Sequence, residues 1–223
     1  MALVAGGSGL VGRKLLAVLL HSPEYVRVHA LSRRPLPLDH PRLANRTPRF
    51  DAPFEGQLTG VRCQDAYCCL GTTIRDAGSR EAMHAIDFEL VMKFARFAAS
   101  VGAERFAVVS AVGADIDSKN AYLRTKGEME LALETLRFRG LDIMQPSLLL
   151  GSRRSLRPLE LIAQPVMMLV NPLLLGAASR FRAIDAGVVA AAMYGAARSG
   201  RRGVYRHTYD AMRALAQSAT SVK

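Results

Sequence analysis

The sequence predicts an α/β protein with a doubly wound parallel sheet and a small helical substrate or lid region near the C-terminus. β-rich apolar runs alternate with stretches of helical periodicity along most of the 223 residues, and parallel strands require such crossover connections. A glycine-rich turn separates the first strand from the first helix. With 50% hydrophobic and 22% charged residues, the chain has the composition of a globular domain.

The strand and helix signals follow one another in a regular order. Strands are predicted in "ALVAG", "VRVHALSR", "DAYCCLGTT", "RFAVVSAVGA", "LDIMQPSLLLG" and "GVYRH". Helices are predicted in "LVGRKLLAVLLHS", in residues 80–102 and 120–140, and in "AIDAGVVAAAMYGAARSG". The first three helices are closed by Pro23, Gly102 and Gly140, which are typical helix stop signals.

An apolar stretch at residues 159–178 follows a basic loop at residues 152–158. It has about the length of a membrane span, but Pro165 and Pro172 interrupt it and favour a buried or lid-like helical hairpin. Met167, Met168 and Leu169 suggest a hydrophobic substrate. A methionine-rich stretch of this kind is also typical of a core or a homodimer surface, and both alternatives stay open.

The chain is strongly basic, with a formal net charge of +11 and a pI of about 10.2. This balance favours anionic partners such as a phosphorylated cofactor or an acidic substrate. The basic residues are scattered, without a run of five or more and without interleaved aromatic residues. We therefore do not expect nucleic-acid binding, and contact with a membrane surface is a minor alternative.

Cys63, Cys68 and Cys69 are an odd number of cysteines without regular spacing. This pattern argues against a disulfide framework and indicates a reducing compartment, so we expect a cytoplasmic location. No C-x-x-C or H-x-x-x-H spacing occurs, and we expect no metal site. Cys68 and Cys69 fit packed strand residues better than nucleophiles.

The glycines Gly6, Gly9 and Gly12 form G-x-x-G-x-x-G between the first strand and the first helix. Glycines there allow a tight turn, a close backbone approach to a pyrophosphate and close helix–sheet packing. The helix N-terminus adds free N–H groups and a positive dipole end. This position predicts a Rossmann-type dinucleotide site, whereas a glycine turn without a binding role is the alternative.

Ser32, Arg33 and Arg34 lie at the end of the second strand, where folds that bind NAD usually carry an acidic residue for the ribose 2′-hydroxyl. A guanidinium there suits a 2′-phosphate, so NADP(H) is predicted over NAD(H). Surface arginines on a basic protein are the alternative. The missing carboxylate also argues against an S-adenosylmethionine site.

Tyr122 and Lys126 lie four positions apart, which places both side chains on one face of the predicted helix. A lysine ammonium near a phenol favours the phenolate and lowers the pKa of the tyrosine. The pair suits proton transfer, although two ordinary residues on a solvated helix would have the same spacing.

The motifs "GGSGLVG", "LSRR", "CCLGTT", "VVSAVGAD" and "YLRTKGEME", in this order, resemble an atypical short-chain dehydrogenase/reductase of the group around the Tat-interacting protein. The resemblance covers residues 1–150 well and implies an NAD(P)-binding Rossmann domain there, with residues 151–223 completing the same domain as a substrate or lid segment. It implies that Ser110, Tyr122 and Lys126 are catalytic. The implied cofactor-binding residues, drawn from the motifs above, are Gly6, Ser8, Gly9, Leu10, Val11, Gly12, Ser32, Arg33, Arg34, Leu70, Gly71, Thr72, Thr73, Lys126 and Pro146.

One position departs from the family pattern. Many members carry an asparagine in the helix after "CCLGTT" that supports a proton relay, and this chain offers Asp87 instead. The leading hypothesis is an NADP(H)-dependent oxidoreductase of a carbonyl or alcohol. The alternatives are a cofactor-binding regulator or sensor without turnover, and an accessory module acting through the basic, apolar C-terminal third.

Overall fold

A computed structural model describes residues 1–151 and 174–221. The main sheet is formed by β1 (Ala2–Ala5), β2 (Val28–Leu31), β3 (Leu43–Arg46), β4 (Asp65–Cys68), β5 (Arg105–Val109), β6 (Gly140–Met144) and β9 (Gly203–His207). Two short strands, β7 (Leu149–Leu150) and β8 (Ile184–Asp185), pair separately in parallel. All strand pairs of the main sheet are parallel, which confirms the predicted fold class.

Helices connect the strands and cover both faces of the sheet. They are α1 (Leu10–His21), α2 (Ile74–Ala77), α3 (Arg80–His84), α4 (Leu90–Ser100), α5 (Ala121–Glu134), α6 (Ala186–Arg198) and α7 (Tyr209–Ser221). A π-helical segment, Ala85–Glu89, joins α3 to α4, and a 3₁₀ helix covers Gly176–Phe181.

The strand order is β3-β2-β1-β4-β5-β6-β9, which is the order of Rossmann folds extended by one strand. The chain runs outward from β1 in one direction and then returns to build β4 on its other side. The topological switch point therefore lies between β1 and β4, and ligands of such sheets bind outside the carboxyl ends of the strands at this point.

Two apolar cores lie on opposite faces of the sheet. One packs α1 and α6 against the strands, with Leu15, Leu19 and Val189 completely buried. The other packs α4 and α5 against them, with Phe94 and Leu133 fully or almost fully buried. Because both faces are covered, β1, β2 and β4 are buried at every residue, as parallel strands usually are.

The structure differs from the predicted elements in several places, of which three are the most extensive. The helix predicted over 80–102 is divided by the π-helical segment. The short strand β3 and the helix α7 have no counterpart in the prediction. β3 is a four-residue edge strand with no completely buried residue, so it lacks the apolar signal that identifies the inner strands.

The predicted lid falls largely outside the described residues. The basic loop at 152–158 and the methionines at 167 and 168 lie outside them, as does the apolar stretch up to residue 173. The described part that follows contains the 3₁₀ helix, held by Ser147, whose Oγ lies 2.8 Å from the carbonyl oxygens of Phe181 and Arg182.

Candidate active site

A cavity of about 1200 Å³ opens at the carboxyl ends of the central strands. Its walls are the loops that follow β1, β4, β5 and β6, at residues 7–9, 69–73, 110–112 and 146–148, together with parts of α1 and α5. The volume exceeds that of an ordinary small-molecule site. It therefore has room for a large ligand together with a second, smaller one.

The glycine loop forms the floor of this cavity. Gly6 has a φ of 80°, a conformation that favours glycine, and a Cβ there would lie 2.5 Å from the backbone of Cys69. A Cβ on Gly12 would overlap the carbonyl oxygen of Gly6. Gly9 is the N-cap of α1 and supplies no capping side chain, so the N–H groups of the first turn are available to an anionic ligand.

The residues after β2 are arranged differently from the prediction. Ser32 is buried and its Oγ donates to the carbonyl oxygen of Arg34 at 2.6 Å, which fixes the turn. Arg33 and Arg34 are exposed, and neither belongs to the lining of the cavity, whereas Arg13 and His40 do. The described lining therefore carries a guanidinium from α1 and an imidazole from the loop after β2.

The loop after β4 brings the predicted residues Leu70, Gly71, Thr72 and Thr73 to the cavity wall. A Cβ on Gly71 would lie 3.4 Å from Asp87 Oδ1 and 3.6 Å from Lys126 Nζ. The loop passes directly over these two charged groups, and a Cβ at position 71 would be in van der Waals contact with both.

Tyr122 and Lys126 project from the first two turns of α5, whose N-terminus is capped by the Asn120 side chain. Both residues line the cavity, and Lys126 Nζ lies 6.0 Å from the centroid of the Tyr122 ring. Pro146 lines the cavity as well. The helical spacing seen in the sequence thus places a phenol and an ammonium at one wall of the cavity.

Asp87 forms a buried ion pair with Lys126. Their Oδ1 and Nζ atoms are 2.6 Å apart, and the side chains are 0% and 2% exposed. Asp87 Oδ2 also accepts a hydrogen bond from the Thr72 N–H at 2.9 Å. Burial lowers the pKa of Lys126, but the charge of Asp87, its hydrogen bond and the neighbouring Tyr122 together outweigh burial, and the pKa lies above the ordinary lysine value.

Ser110 is held by a carboxylate that sequence reasoning missed. Ser110 Oγ lies 2.5 Å from Glu130 Oε1, and Glu130 also accepts from Gln145 and, at 2.9 Å, from Arg206 Nε. Glu130 is 3% exposed. Tyr122, Lys126 and Glu130 are each four positions apart and therefore lie on one face of α5. This spacing is the signal that could have identified Glu130 from the sequence.

Among the described residues, the structure gives no support for a reactive Cys68, a metal site or a membrane-spanning helix. Burial raises the pKa of Cys68 to about 12, and Cys68 is therefore a neutral thiol at physiological pH. Among the described residues, no group of three His, Cys, Asp or Glu side chains is placed to hold a metal ion. No helix in the part of the chain that the structure describes is long and apolar enough to cross a bilayer.

Comparison with known proteins identifies the family. Protein HTATIP2 of Rattus norvegicus is 32% identical over 170 residues, which cover 72% of this chain and 67% of the relative. Protein fmp52 of Emericella nidulans is 31% identical over 176 residues, covering 71% of each chain. The chain belongs to this group of atypical short-chain dehydrogenase/reductases. No family model matches the chain.

Several solved structures share the fold of this atypical short-chain dehydrogenase/reductase. MoeE5, solved with UDP-glucose and NAD, superposes with a TM-score of 0.67 at 15% identity, covering 93% of this chain and 75% of MoeE5. The human epimerase family protein SDR39U1, solved with NADPH, gives a TM-score of 0.61 at 19% identity, covering 93% and 73%. At this level of identity the likeness concerns the fold alone, and it confirms the Rossmann architecture.

The comparison also corrects the expected location. The FMP52 relatives, among them those of Debaryomyces hansenii and Saccharomyces cerevisiae, are named mitochondrial proteins, and the prediction of a cytoplasmic location is therefore wrong. The prediction failed because free cysteines indicate a reducing environment without specifying the compartment.

Proposed function

We propose that this protein is an NADP(H)-dependent oxidoreductase that interconverts a carbonyl compound and an alcohol. The observation that carries the proposal is the convergence of Ser110, Tyr122 and Lys126 on the cavity whose floor is the glycine loop. The neighbours solved with NAD or NADPH support a nicotinamide dinucleotide in such a cavity. We also propose that residues 1–150 form the cofactor-binding part and that residues 151–223 complete the same domain on the substrate side.

The residues present fit such a cofactor. The glycines leave room for a backbone approach that a Cβ would block, and the first turn of α1 offers N–H groups to the pyrophosphate. The residues that would hold the dinucleotide are those of the glycine loop, together with Leu70, Gly71, Thr72, Thr73, Lys126 and Pro146. When bound, the reduced nicotinamide supplies a hydride to the substrate carbon.

Side chains of the protein would transfer the proton to and from the substrate oxygen. The Tyr122 hydroxyl would donate its proton to the substrate oxygen in reduction and accept it in oxidation. Lys126, fixed by Asp87, would position the cofactor ribose. The Ser110 hydroxyl donates a hydrogen bond to Glu130, and a rotation of the hydroxyl hydrogen would let it donate to the substrate oxygen instead.

A direct test is the consumption of NADPH with a panel of apolar and polar ketones and aldehydes. Turnover on at least one carbonyl class is expected, and the corresponding alcohol with NADP⁺ should give the reverse reaction. Tight NADPH binding combined with no turnover on any member of the panel would contradict the proposal and favour the regulatory alternative.

The preference for NADP(H) rests on the absence of a carboxylate at residues 32–34, directly after β2, on the arginines there and on Arg13 of α1. NADPH should therefore raise the thermal unfolding midpoint more than NADH at the same concentration. A ligand present at 100 times its Kd stabilises the folded state by about 2.7 kcal/mol. Arg33→Ala or Arg34→Ala should reduce the NADPH effect, whereas Arg96→Ala, on the exposed side of α4, should not. Equal protection by NADH and NADPH would refute the preference.

The glycine loop gives a second prediction. Gly12→Ala is expected to displace the Gly6 carbonyl, because a Cβ at position 12 overlaps that oxygen. The expected result is a loss of NADPH binding, measured by calorimetric titration, together with a lower thermal unfolding midpoint. Gly56→Ala is the matched control, since a Cβ there meets no atom within 4 Å. Unchanged NADPH affinity in Gly12→Ala would show that the cofactor does not bind on this loop.

A further inference from the structure

The charge of the cavity's lysine is neutralised before any ligand binds. Lys126 Nζ and Asp87 Oδ1 are 2.6 Å apart, and both side chains are almost completely buried. A lysine paired so closely exerts a weaker net field on its other neighbours, because the opposite charges largely cancel at a distance. Tyr122 is such a neighbour, with its ring centroid 6.0 Å from Lys126 Nζ.

An irregular segment of the backbone places Asp87 beside Lys126. Asp87 is at the centre of the π-helical segment Ala85–Glu89, and such segments insert an extra residue into a helix turn and recur at functional sites. The segment directs the carboxylate inward, against Lys126 and the Thr72 N–H. Asp87 thus ties the loop after β4 to α5.

The ionisable groups around Tyr122 can be named element by element. Its own helix contributes Lys126, and the π-helical segment contributes Asp87. These are the two charges that act on its hydroxyl. The strand end after β5 contributes Ser110, behind which Glu130 is paired with Arg206. The end of β4 contributes Cys68, a neutral thiol, and residues 70–73 carry no charge.

We propose that Asp87 is a positioning residue that offsets the charge of Lys126 at the Tyr122 hydroxyl and thereby favours the protonated phenol, the form that carbonyl reduction requires. This inference rests on the proposed oxidoreductase function. In the step, the carbonyl carbon gains a hydride from the reduced nicotinamide dinucleotide and the oxygen gains the Tyr122 proton. The phenolate that remains is reprotonated from solvent.

The balance of effects on Tyr122 supports the same conclusion. Burial raises the pKa of Tyr122, Lys126 lowers it and Asp87 raises it, and the pKa lies above the ordinary tyrosine value. A group with such a pKa is a proton donor at neutral pH and a poor base. Without Asp87 only burial would oppose Lys126, so the pKa of Tyr122 would be lower and the phenolate, the form required for alcohol oxidation, would be easier to reach.

The test is an NMR titration of isotope-labelled tyrosine, which measures ionisation without turnover. The Tyr122 signal is assigned by its loss in Tyr122→Phe. In the wild-type protein it should titrate above pH about 10, the ordinary tyrosine value. In Asp87→Asn it should titrate at lower pH, while Asp117→Asn, an exposed carboxylate before α5, should leave it unchanged. A Tyr122 titration in Asp87→Asn at the wild-type pH or above would overturn the proposal.

A second variant covers the case in which Asp87→Asn does not fold. Lys126→Met removes the ammonium and keeps the Asp87 carboxyl group. The Tyr122 hydroxyl should then titrate at higher pH than in the wild-type protein. An unchanged or lower titration would overturn the proposal.

Kinetics connect the ionisation to the reaction. The decline of carbonyl reduction at high pH should move to lower pH in Asp87→Asn, and alcohol oxidation near neutral pH should rise relative to reduction. A merely structural role would lower both rates without moving the pH profile. If the titrations behave as expected but no carbonyl is reduced, the proposed function fails and the assignment to reduction fails with it.

Discussion

Tyr122→Phe is expected to lower NADPH-dependent carbonyl reduction by about 100- to 10,000-fold, the usual contribution of a positioned acid or base. Phenylalanine keeps the ring and its contacts but removes the hydroxyl proposed to protonate the substrate oxygen. Because Tyr122 lies on α5 and outside the glycine loop proposed to hold the pyrophosphate, NADPH affinity should remain close to that of the wild-type protein. The measurement is the initial rate of NADPH consumption, with binding followed separately by calorimetry.

A tyrosine outside the cavity provides the control. Tyr205 lies on β9, where its hydroxyl donates to the Arg202 carbonyl oxygen, and Tyr205→Phe should leave turnover unchanged. A Tyr122→Phe variant that retains wild-type turnover would remove Tyr122 from the reaction. Loss of NADPH binding in that variant would instead assign Tyr122 to cofactor binding.

Local sequence signals were sufficient for the architecture and for much of the site. The glycine trio, the residues after β4 and the tyrosine–lysine spacing are short-range patterns, and Gly9, residues 70–73, Tyr122 and Lys126 line the cavity. They succeed because a glycine turn after a strand and a four-residue helical spacing have nearly the same geometry in any fold. The edge strand β3 and the C-terminal helix α7 lack such strong signals.

The pairing of buried charges could not be predicted in this way. Asp87 stood out only as a departure from an asparagine, and its ion pair depends on a π-helical segment that helical periodicity does not reveal. Glu130 lies in "KGEMELALE", where acidic residues look like those of a solvated face. Its burial results from Ser110, Gln145 and Arg206, which reach it from three other parts of the chain.

Asp87→Ala should cause a large loss of stability. Removing one partner of a buried ion pair leaves the other charge uncompensated, which typically costs about 3–5 kcal/mol, and the Thr72 N–H loses its acceptor as well. The measurement is the free energy of unfolding from urea titration at neutral pH. Glu104→Ala, which breaks an exposed pair with Arg139, is the matched control and should cost no more than about 1 kcal/mol.

The stabilisation of the folded protein by the Asp87–Lys126 ion pair should decrease only at alkaline pH. The pKa of Lys126 is raised in the folded protein, so the stabilisation is fully present below the pKa of an unfolded lysine, about 10.4. It is lost as the pH rises through the higher folded value. The difference in unfolding free energy between wild type and Asp87→Ala should therefore be constant near neutral pH and shrink in strongly alkaline solution.

The double variant Asp87→Ala/Lys126→Met separates the pair's attraction from the cost of an unpaired charge. Methionine keeps most of the lysine side-chain volume without the ammonium, so the double variant should be more stable than Asp87→Ala alone. Replacing buried ion pairs by apolar residues is often neutral or stabilising, which means that the pair need not have been retained for stability. A double variant that folds well but has lost proton transfer would indicate that the pair serves the chemistry at Tyr122, whereas additive destabilisation would contradict the ion pair itself.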